Sequence, residues 1–262
     1  YDKIFINSAS KDSVEIIGPH KCLLESNGGD TLIYKTLSNC RKNNMVKNNY
    51  NILLEKNIPI SAGLGGGSAN SASIIRYFLK YGDNPIDKDM VRFAKLIGAD
   101  VPACLYSRPV FVQGIGEKLK FIEISKGLDI GVVLINPNIQ LSTKKVFHSL
   151  VFSKKTQMKD EILKIKNLND FYSISKIGNM LKDSALKIVP EIQIILKLFE
   201  NVDNCVCFGM SGSGPTCYGI FKSRIDACLF QKNIENLSLN NNFWTWSGGL
   251  LLNSKRDLIL PL

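Results

Sequence analysis

Short apolar runs bounded by Gly, Pro, Asn or Asp alternate along this chain with longer stretches in which apolar residues recur every three or four positions. The short runs predict β-strands, whose side chains alternate between two faces or are apolar throughout when both faces are buried. The longer stretches predict helices, whose inner face repeats every 3.6 residues. The predicted strands are residues 3–6, 13–17, 50–55, 109–113, 119–122, 130–135, 206–210, 217–221 and 243–246.

The predicted helices are residues 30–41, 68–81, 87–97, 142–150, 159–166, 177–187, 190–200 and 224–235. Because strands and helices are mixed without regular βαβ alternation, the pattern predicts an α+β fold. No internal repeat or linker interrupts it. A soft boundary at residues 125–127 divides the chain into two predicted domains, 1–125 and 126–262.

The chain has 262 residues, of which 45% are apolar, and a formal net charge of +10 from 33 Lys and Arg against 23 Asp and Glu. A basic surface suits nucleic acid, acidic lipid or a phosphorylated ligand. The lysines do not concentrate in one block, which favours compositional drift over a dedicated patch. No aromatic-plus-basic cluster typical of RNA-binding domains is present, so we expect no nucleic-acid partner.

Seven cysteines form no Cys-x-x-Cys pair, and the chain has two histidines. An odd and scattered set of cysteines favours a reduced, cytoplasmic protein over a disulfide framework. With so few histidines, a zinc site is not expected. No apolar stretch reaches the roughly 20 residues of a membrane span, so no membrane partner is expected either.

Four glycines between residues 63 and 67 stand directly before a predicted helix. Glycine lets the backbone approach a ligand closely, and the first N–H groups of a helix are unpaired and carry partial positive charge. A phosphate can accept several of them at once. The alternative is a flexible turn with Ser68 as an ordinary helix cap. The candidate phosphate-binding residues are Pro59, Ala62, Gly63, Leu64, Gly65, Gly66, Gly67, Ser68 and Ala69.

A carboxylate follows the third predicted helix, in Gly-Ala-Asp-Val-Pro. Asp100 is either the N-cap of the next helix, with Pro102 in its first turn, or an acid that points into a cleft. The two roles are compatible, because a capping aspartate can still face a cleft.

A second glycine-serine loop lies between two predicted strands and consists of Ser211, Gly212, Ser213 and Gly214. Its glycines permit a close backbone approach and its serines add donors, although a plain hairpin turn is the alternative. On the predicted helix 142–150, Thr143 is a first-turn or cap residue. Phe147 follows at helical spacing, which favours a core position for its ring.

The string Pro-x-x-x-Gly-Leu-Gly-Gly-Gly-Ser that begins at Pro59 resembles the nucleotide-binding motif of the GHMP kinases, named for galactokinase and for homoserine, mevalonate and phosphomevalonate kinases. Gly-Ala-Asp-Val-Pro, Gly-Ile-Gly-Glu from Gly114 and Met-Ser-Gly-Ser-Gly-Pro-Thr from Met210 resemble further segments of that family, in the same order. The similarity is greatest to the branch that phosphorylates a cytidine diphosphate-linked methylerythritol in the non-mevalonate isoprenoid pathway.

The resemblance implies a two-domain fold, with a mixed sheet plus helices in the N-terminal domain and an α/β sandwich in the C-terminal domain. It implies a bacterial, cytoplasmic kinase that uses ATP and Mg²⁺, with no side chain assigned as a metal ligand. Asp100 would be the general base, the first glycine loop would bind ATP, and the second would lie near the triphosphate and the reacting hydroxyl. Thr143 would lie near the substrate, and Phe147 would stack on its cytosine.

The sequence departs from the family pattern in three places. Ala69 replaces a serine near the phosphates, and Thr31 replaces an asparagine that lies by the adenine. The family's first motif, Pro-x-Lys-x-Asn followed by Gly-Tyr-His, does not occur in the chain, so either a segment is missing before Tyr1 or this is a defective copy. We therefore expect that a natural segment precedes Tyr1 and that the chain without it is weakly active or inactive, which kinase assays on both lengths would check.

Two other functions fit the same residues. One is another GHMP kinase, of the homoserine or mevalonate type, which competition by cytidine diphosphate would distinguish. The other is a catalytically silent nucleotide-binding protein, in which substitution of Asp100 would change nothing.

Overall fold

The computed structural model describes residues 1–26, 28–79, 86–125, 127–150 and 164–250. These residues form two compact units. One contains residues 1–60 and 65–121, and the other contains residues 61–64 and 122–250. The domain boundary expected after residue 125 stays a prediction.

The first unit combines a mixed three-stranded sheet with helices. Its strand order is β1-β3-β2, with β3 antiparallel to β1 and parallel to β2, and β4 and β5 form a separate antiparallel hairpin. In chain order the elements are β1 (Lys3–Ala9), β2 (Ser13–Ile17), α1 (Lys21–Ser26), α2 (Thr31–Lys42), β3 (Asn49–Glu55), α3 (Gly66–Phe78), α4 (Lys88–Ile97), α5 (Val101–Tyr106), β4 (Val110–Gln113) and β5 (Lys118–Phe121).

Helix α3 of the first unit is buried on two of its faces. Ile74 packs with Ile33 of α2 and with the inward-facing Ile52 and Leu54 of β3. On the other side, buried residues of α3 pack with α4 and α5: Ala72, Ile75, Phe93, Ile97 and Leu105. Burial on both sides fixes this helix, and therefore fixes where its N-terminus lies.

The second unit is built on a four-stranded antiparallel sheet of order β11-β7-β10-β9. Short strands β6 and β8 pair separately. In chain order its elements are β6 (Glu123–Ile124), β7 (Gly131–Asn136), α6 (Thr143–His148), β8 (Lys164–Ile165), α7 (Leu168–Ser175), α8 (Lys182–Ile188), α9 (Glu191–Phe199), β9 (Cys205–Met210), β10 (Cys217–Phe221), α10 (Arg224–Asn233), α11 (Glu235–Asn240) and β11 (Trp244–Gly249).

Alternating residues of the sheet in the second unit supply two apolar layers. Val133 and Ile135 of β7 are fully buried in a cluster that includes residues of α8, α9 and α10. Val132 belongs to a cluster on the opposite face, where Leu168 and Phe171 of α7 pack against it. Helices therefore cover both faces of the sheet, and the period of two in β7 follows from that burial.

Capping side chains fix where several helices begin. Asp30 accepts the N–H groups of Leu32 and Ile33 before α2, and Asp87 accepts that of Met90 before α4. These caps satisfy donors that the first turn of a helix leaves unpaired.

The structure corrects the predicted helices of the middle region. Residues 159–163 of the predicted helix 159–166 lie outside the described residues, and Lys164–Ile165 is a strand. The helix predicted at residues 177–187 begins only at Lys182, after a turn. Helix α7 was not predicted, although Asn167 and Asp170 form a capping box at its start, which is a sequence signal for a helix N-terminus.

Candidate active site

The helix that follows the first glycine loop begins inside the glycine run. Gly65 is its cap, with a left-handed φ of 67°, and α3 starts at Gly66 rather than at the predicted Ser68. The first hydrogen bond of the helix runs from the N–H of Ala69 to the carbonyl of Gly65. The N–H groups of Gly66, Gly67 and Ser68 therefore have no acceptor within the helix. Ser68 lies in the first turn, so its interpretation as an ordinary cap was wrong.

Three unpaired backbone donors lie together at this helix end, an arrangement that favours a bound anion. Their partial charges sum with the helix dipole, so negative charge is favoured there. A Cβ at Gly65 would meet no atom within 4 Å, so there is space for a side chain. Glycine is favoured at this position only because the backbone φ is positive. The flanking Pro59 and Ala62 are buried, so they support the loop and present no side chain to solvent.

The two glycine loops contact each other at Gly63, which belongs to the second unit. Gly63 has a φ of 72°, and a Cβ there would lie 2.5 Å from the carbonyl oxygen of Ser211 and 2.8 Å from that of Gly214. The hydroxyl of Ser211 donates to the carbonyl of Gly63 at 2.8 Å, and the N–H of Thr216 donates to that of Ala62 at 3.3 Å. Glycine is required at position 63 because the second loop occupies the space of a side chain.

A buried ion pair supports the start of α3. The ammonium of Lys56 lies 2.7 Å from a carboxylate oxygen of Asp2, and the two side chains are 6% and 1% exposed. The same Asp2 oxygen accepts the amide of Asn70 in the first turns of α3, and the other accepts the N–H groups of Asn57 and Ile58. Asp2 therefore ties the segment before the first glycine loop to the helix after it.

The surroundings of this pair shift two pKa values. Burial alone would raise the pKa of Asp2, but the Lys56 ammonium and the donors of Ile58 and Asn70 outweigh it and hold that pKa below its ordinary value. Burial, and then the charge of Lys56, lowers the pKa of His20. The lowered pKa keeps the Asp2 carboxylate ionised at neutral pH.

Asp100 is the N-cap residue of α5, but its side chain does not cap the helix. It is exposed, and its carboxylate makes no capping hydrogen bond. Arg76 of α3 donates to the carbonyls of Cys104 and Leu105, so α5 is tied to α3. The N-cap interpretation is correct for the backbone, and the acid remains available to another partner.

The Gly114–Glu117 turn packs against the residue before Asp100. Gly116 has a φ of 101°, and a Cβ there would lie 2.1 Å from the carbonyl oxygen of Ala99. The carboxylate of Glu117 accepts the N–H of Ile115 and pairs with Lys95 at 3.4 Å. The turn therefore needs glycine at 116 because it supports the backbone that presents Asp100.

The second glycine loop connects β9 to β10, so the hairpin alternative describes its backbone correctly. The N–H of Ser211 donates to the carbonyl of Thr216, and that of Gly214 donates to the carbonyl of Ser211. The amide of Asn179 donates to the carbonyls of Met210 and Gly212. The loop is thus a tight turn, stabilised by its own backbone hydrogen bonds and by the Asn179 side chain.

Helix α6 brings Thr143 to this loop. The hydroxyl of Thr143 lies 2.9 Å from that of Ser213. Phe147 is 56% exposed, whereas Val146 is fully buried, so the core position expected for Phe147 was wrong. Ser142 caps the helix by accepting the N–H of Lys145, and Val146 is its buried residue. Thr143 and Phe147, four residues apart, consequently share an outer face of α6.

Four residues that the structure places in these networks were missed by sequence reasoning. Asp2 and Lys56 meet across 54 positions, which no local pattern reveals. Asn70 lies inside the first motif but was given no role. Asn179 follows Gly178, and this Gly-Asn turn signal stood inside the predicted helix 177–187.

Family models match both units. Residues 31–108 match the model described as GHMP kinases N terminal domain, and residues 158–235 match GHMP kinases C terminal. Together these matches cover more than half of the chain. The chain belongs to the GHMP kinase family. The α+β, two-domain fold expected from the resemblance is that of this family.

This GHMP kinase is similar to proteins of more than one specificity. The 4-diphosphocytidyl-2-C-methyl-D-erythritol kinase of Chelativorans sp. (strain BNC1) is 32% identical over 226 residues, which are 85% of this chain and 75% of that relative. A crystal structure of 4-(cytidine 5'-diphospho)-2C-methyl-D-erythritol kinase has a TM-score of 0.66 at 21% identity, covering 95% of this chain and 85% of that one.

The homoserine kinase of Cytophaga hutchinsonii ATCC 33406 has a TM-score of 0.71 at 17% identity, again covering 95% of this chain and 85% of that one. At such identities the structures establish the fold of this GHMP kinase and do not separate substrates. In the part of the chain that the structure describes, no helix is both long and apolar enough to cross a membrane.

Proposed function

We propose that this chain transfers the γ-phosphoryl group of ATP to the 2-hydroxyl of 4-(cytidine 5'-diphospho)-2-C-methyl-D-erythritol. The observation that carries the kinase chemistry is the start of α3 at Gly66, which leaves the N–H groups of Gly66, Gly67 and Ser68 without helical acceptors. The acceptor is proposed from the relatives, because the Chelativorans protein at 32% identity is named for that substrate.

The phosphates of ATP are bound at the first glycine loop in this proposal. Pro59 and Ala62 support the loop, Gly63 contacts the second loop, and the amides of Gly66, Gly67 and Ser68 face the anion. Ala69 offers no hydroxyl, so backbone donors carry the interaction. Phosphoryl transfer relies mainly on such positioning and on charge stabilisation.

Asp100 is the proposed general base. The 2-hydroxyl oxygen attacks the γ-phosphorus, the bond from that phosphorus to the β–γ bridging oxygen breaks, and ADP leaves. The hydroxyl proton passes to the Asp100 carboxylate, which is exposed and makes no capping bond. A carboxylate also orients the hydroxyl before attack.

The second glycine loop and α6 form the proposed acceptor side. Gly212 and Ser213 supply the donors of this loop, because the N–H groups of Ser211 and Gly214 and the hydroxyl of Ser211 already donate within the protein. Thr143 adds a hydroxyl 2.9 Å from that of Ser213. Phe147 offers an exposed ring on which a pyrimidine could stack.

Mg²⁺ is proposed as the metal that accompanies ATP. Among the described residues, no group of three or more His, Cys, Asp or Glu side chains is placed to hold a metal ion. Mg²⁺ keeps several waters and commonly binds through substrate phosphates, so in this proposal the nucleotide carries the metal. It would neutralise phosphate charge, while the chain's own residues hold the phosphates. The cytoplasmic location expected from composition stays a prediction.

The test is a transfer assay with three acceptors: the cytidine diphosphate-linked methylerythritol, homoserine and mevalonate. We expect phosphorylation of the first alone. Transfer to homoserine or mevalonate instead would support another GHMP specificity, and no transfer to any would support a silent nucleotide-binding protein.

The role of Asp100 has its own test. Asp100→Asn should lower kcat about 10²–10⁴-fold, because it removes the proton acceptor. The control Asp89→Asn changes another exposed aspartate of the same unit, paired with Arg92, and should leave kcat unchanged. An unchanged rate for Asp100→Asn would exclude a catalytic role for that carboxylate.

A further inference from the structure

The middle of the second glycine loop is held by a residue that has no assigned function. Ser211 is bound by the first glycine loop and Ser213 by α6, as described above. Between them, the carbonyl of Gly212 accepts a hydrogen bond of 2.7 Å from Nδ2 of Asn179. Three consecutive residues of the loop are therefore each fixed by a different segment of the chain.

We propose that Asn179 is a positioning residue for phosphoryl transfer, acting through the Gly212 peptide on the hydroxyls of Ser211 and Ser213. This inference rests on the proposed function of the second loop.

The hydrogen bonds of Asn179 are used within the protein. Nδ2 donates its two hydrogens to the carbonyls of Met210 at 2.9 Å and Gly212 at 2.7 Å. Oδ1 accepts the N–H of Leu181 at 2.9 Å. A side-chain amide has two N–H donors, so none is left for a substrate. Asn179 must therefore act through the loop, not on the reacting atoms.

Asn179 is itself anchored. The carbonyl of Asn179 accepts the N–H of Lys182 at the start of α8. In that helix Ala185 is fully buried, and the hydroxyl of Ser184 donates to the carbonyl of Ser149 at the end of α6. The helix that positions Asn179 and the helix that positions Thr143 are thus joined, and both hold the same loop.

The loop depends on such support because of its glycines. Gly212 has a φ of 53°, and a Cβ there would lie 3.1 Å from the carbonyl oxygen of Gly63. Glycine is needed for this fit, but it also leaves the peptide without a side chain to fix it. The Asn179 amide supplies that constraint from outside the loop.

The experiment compares Asn179→Asp with Asn167→Asp in the full natural protein. Both changes are isosteric. At Asn179 the change removes two donors and sets a carboxylate beside two carbonyl oxygens. At Asn167 the side chain accepts the N–H of Asn169 as the cap of α7, which a carboxylate does equally well.

We expect Asn179→Asp to lower kcat about 10–100-fold, as a small displacement of a reacting group can, and to change the KM for ATP by less than about threefold. Asn167→Asp should match the wild type. Lowering the pH should partly restore Asn179→Asp, since a protonated carboxyl regains one donor, and should not restore Asn179→Ala.

Hydrogen exchange at residues 211–214 gives a readout that needs no activity, and both Asn179 variants should exchange faster there. An unchanged kcat, a loss confined to KM, or unchanged exchange would overturn the positioning role. A wild-type protein that transfers no phosphate would instead overturn the proposed function, with the exchange result still deciding whether Asn179 holds the loop.

Discussion

The two glycine loops of this kinase are supported in opposite ways. The first continues into α3, whose first turns are tied to a buried ion pair between Asp2 and Lys56. The second joins two strands and is held by neutral hydrogen bonds with the Asn179 amide, the Thr143 hydroxyl and the Gly63 carbonyl, which accepts from Ser211. One anchor is a charge that must stay paired, and the other is a set of bonds that can be lost one at a time.

The difference predicts how each loop tolerates change. Removing one partner of a buried ion pair leaves an uncompensated charge and costs about 3–5 kcal/mol, whereas a typical neutral hydrogen bond contributes about 0.5–1.5 kcal/mol. Damage to the first loop should therefore appear as lost stability. Damage to the second should appear in the rate while the fold persists.

The largest stability effect is expected from Asp2→Asn. It leaves the Lys56 ammonium buried without a carboxylate, which should lower the free energy of unfolding by about 3–5 kcal/mol. Urea denaturation measures the change. Asp89→Asn removes an exposed pair with Arg92 and should cost at most about 1 kcal/mol. Equal effects of the two variants would refute the distinction between buried and exposed pairs.

The same variant gives a pH test. The pKa of Asp2 is lowered in the folded protein, so its contribution is present above the ordinary aspartate pKa and is lost as pH falls through the folded value. From pH 5 downward, the wild type should lose more unfolding free energy than Asp2→Asn. Parallel pH curves would show that folding does not lower the pKa of Asp2.

Gly63→Ala should follow in size. It combines a positive φ, worth roughly 1–2 kcal/mol, with a Cβ 2.5 Å from the Ser211 carbonyl oxygen. Gly65→Ala has nearly the same φ but nothing within 4 Å of its Cβ, so it isolates the backbone cost. Thermal unfolding should show Gly63→Ala as the more destabilised variant, and the reverse order would mean that the loops do not touch at Gly63.

The smallest effect is expected from Ser211→Ala. It removes the 2.8 Å bond from the hydroxyl to the carbonyl of Gly63 and should cost about 0.5–1.5 kcal/mol. Ser173→Ala removes an exposed bond within α7 and should be near neutral by urea titration. If Ser211→Ala destabilised the protein more than Asp2→Asn, the second loop would have the stronger anchor, contrary to this comparison.

The elements that follow one strong pattern were predictable from sequence. The strand at Cys217–Phe221 and the helix capped by Asp87 agree with their apolar periods and cap. Spacing alone did not show that Val146 faces inward and Phe147 outward, because adjacent helical positions differ in direction by only about 100°. Glycine propensity argued against a helix start at Gly66, and packing of α3 on both sides overrode it.

The residues that support the candidate site were harder to predict from sequence than its loops. A glycine-rich string is easy to recognise in a sequence, because few structures other than tight, ligand-binding loops require several glycines together. The pair of Asp2 and Lys56 depends on how β1 meets β3, which the sequence does not state. The Asn179 bonds depend on where a turn ends, and turn boundaries are the weakest part of a pattern-based prediction.

In the proposed function, the phosphates of a nucleotide bind at the N-terminus of α3. The most direct measurement is a crystal structure of the natural protein with a non-hydrolysable ATP analogue. Phosphate oxygens should lie within about 3 Å of the amide nitrogens of Gly66, Gly67 and Ser68. An ordered analogue whose phosphates lie elsewhere, with those amides bound to water, would contradict it.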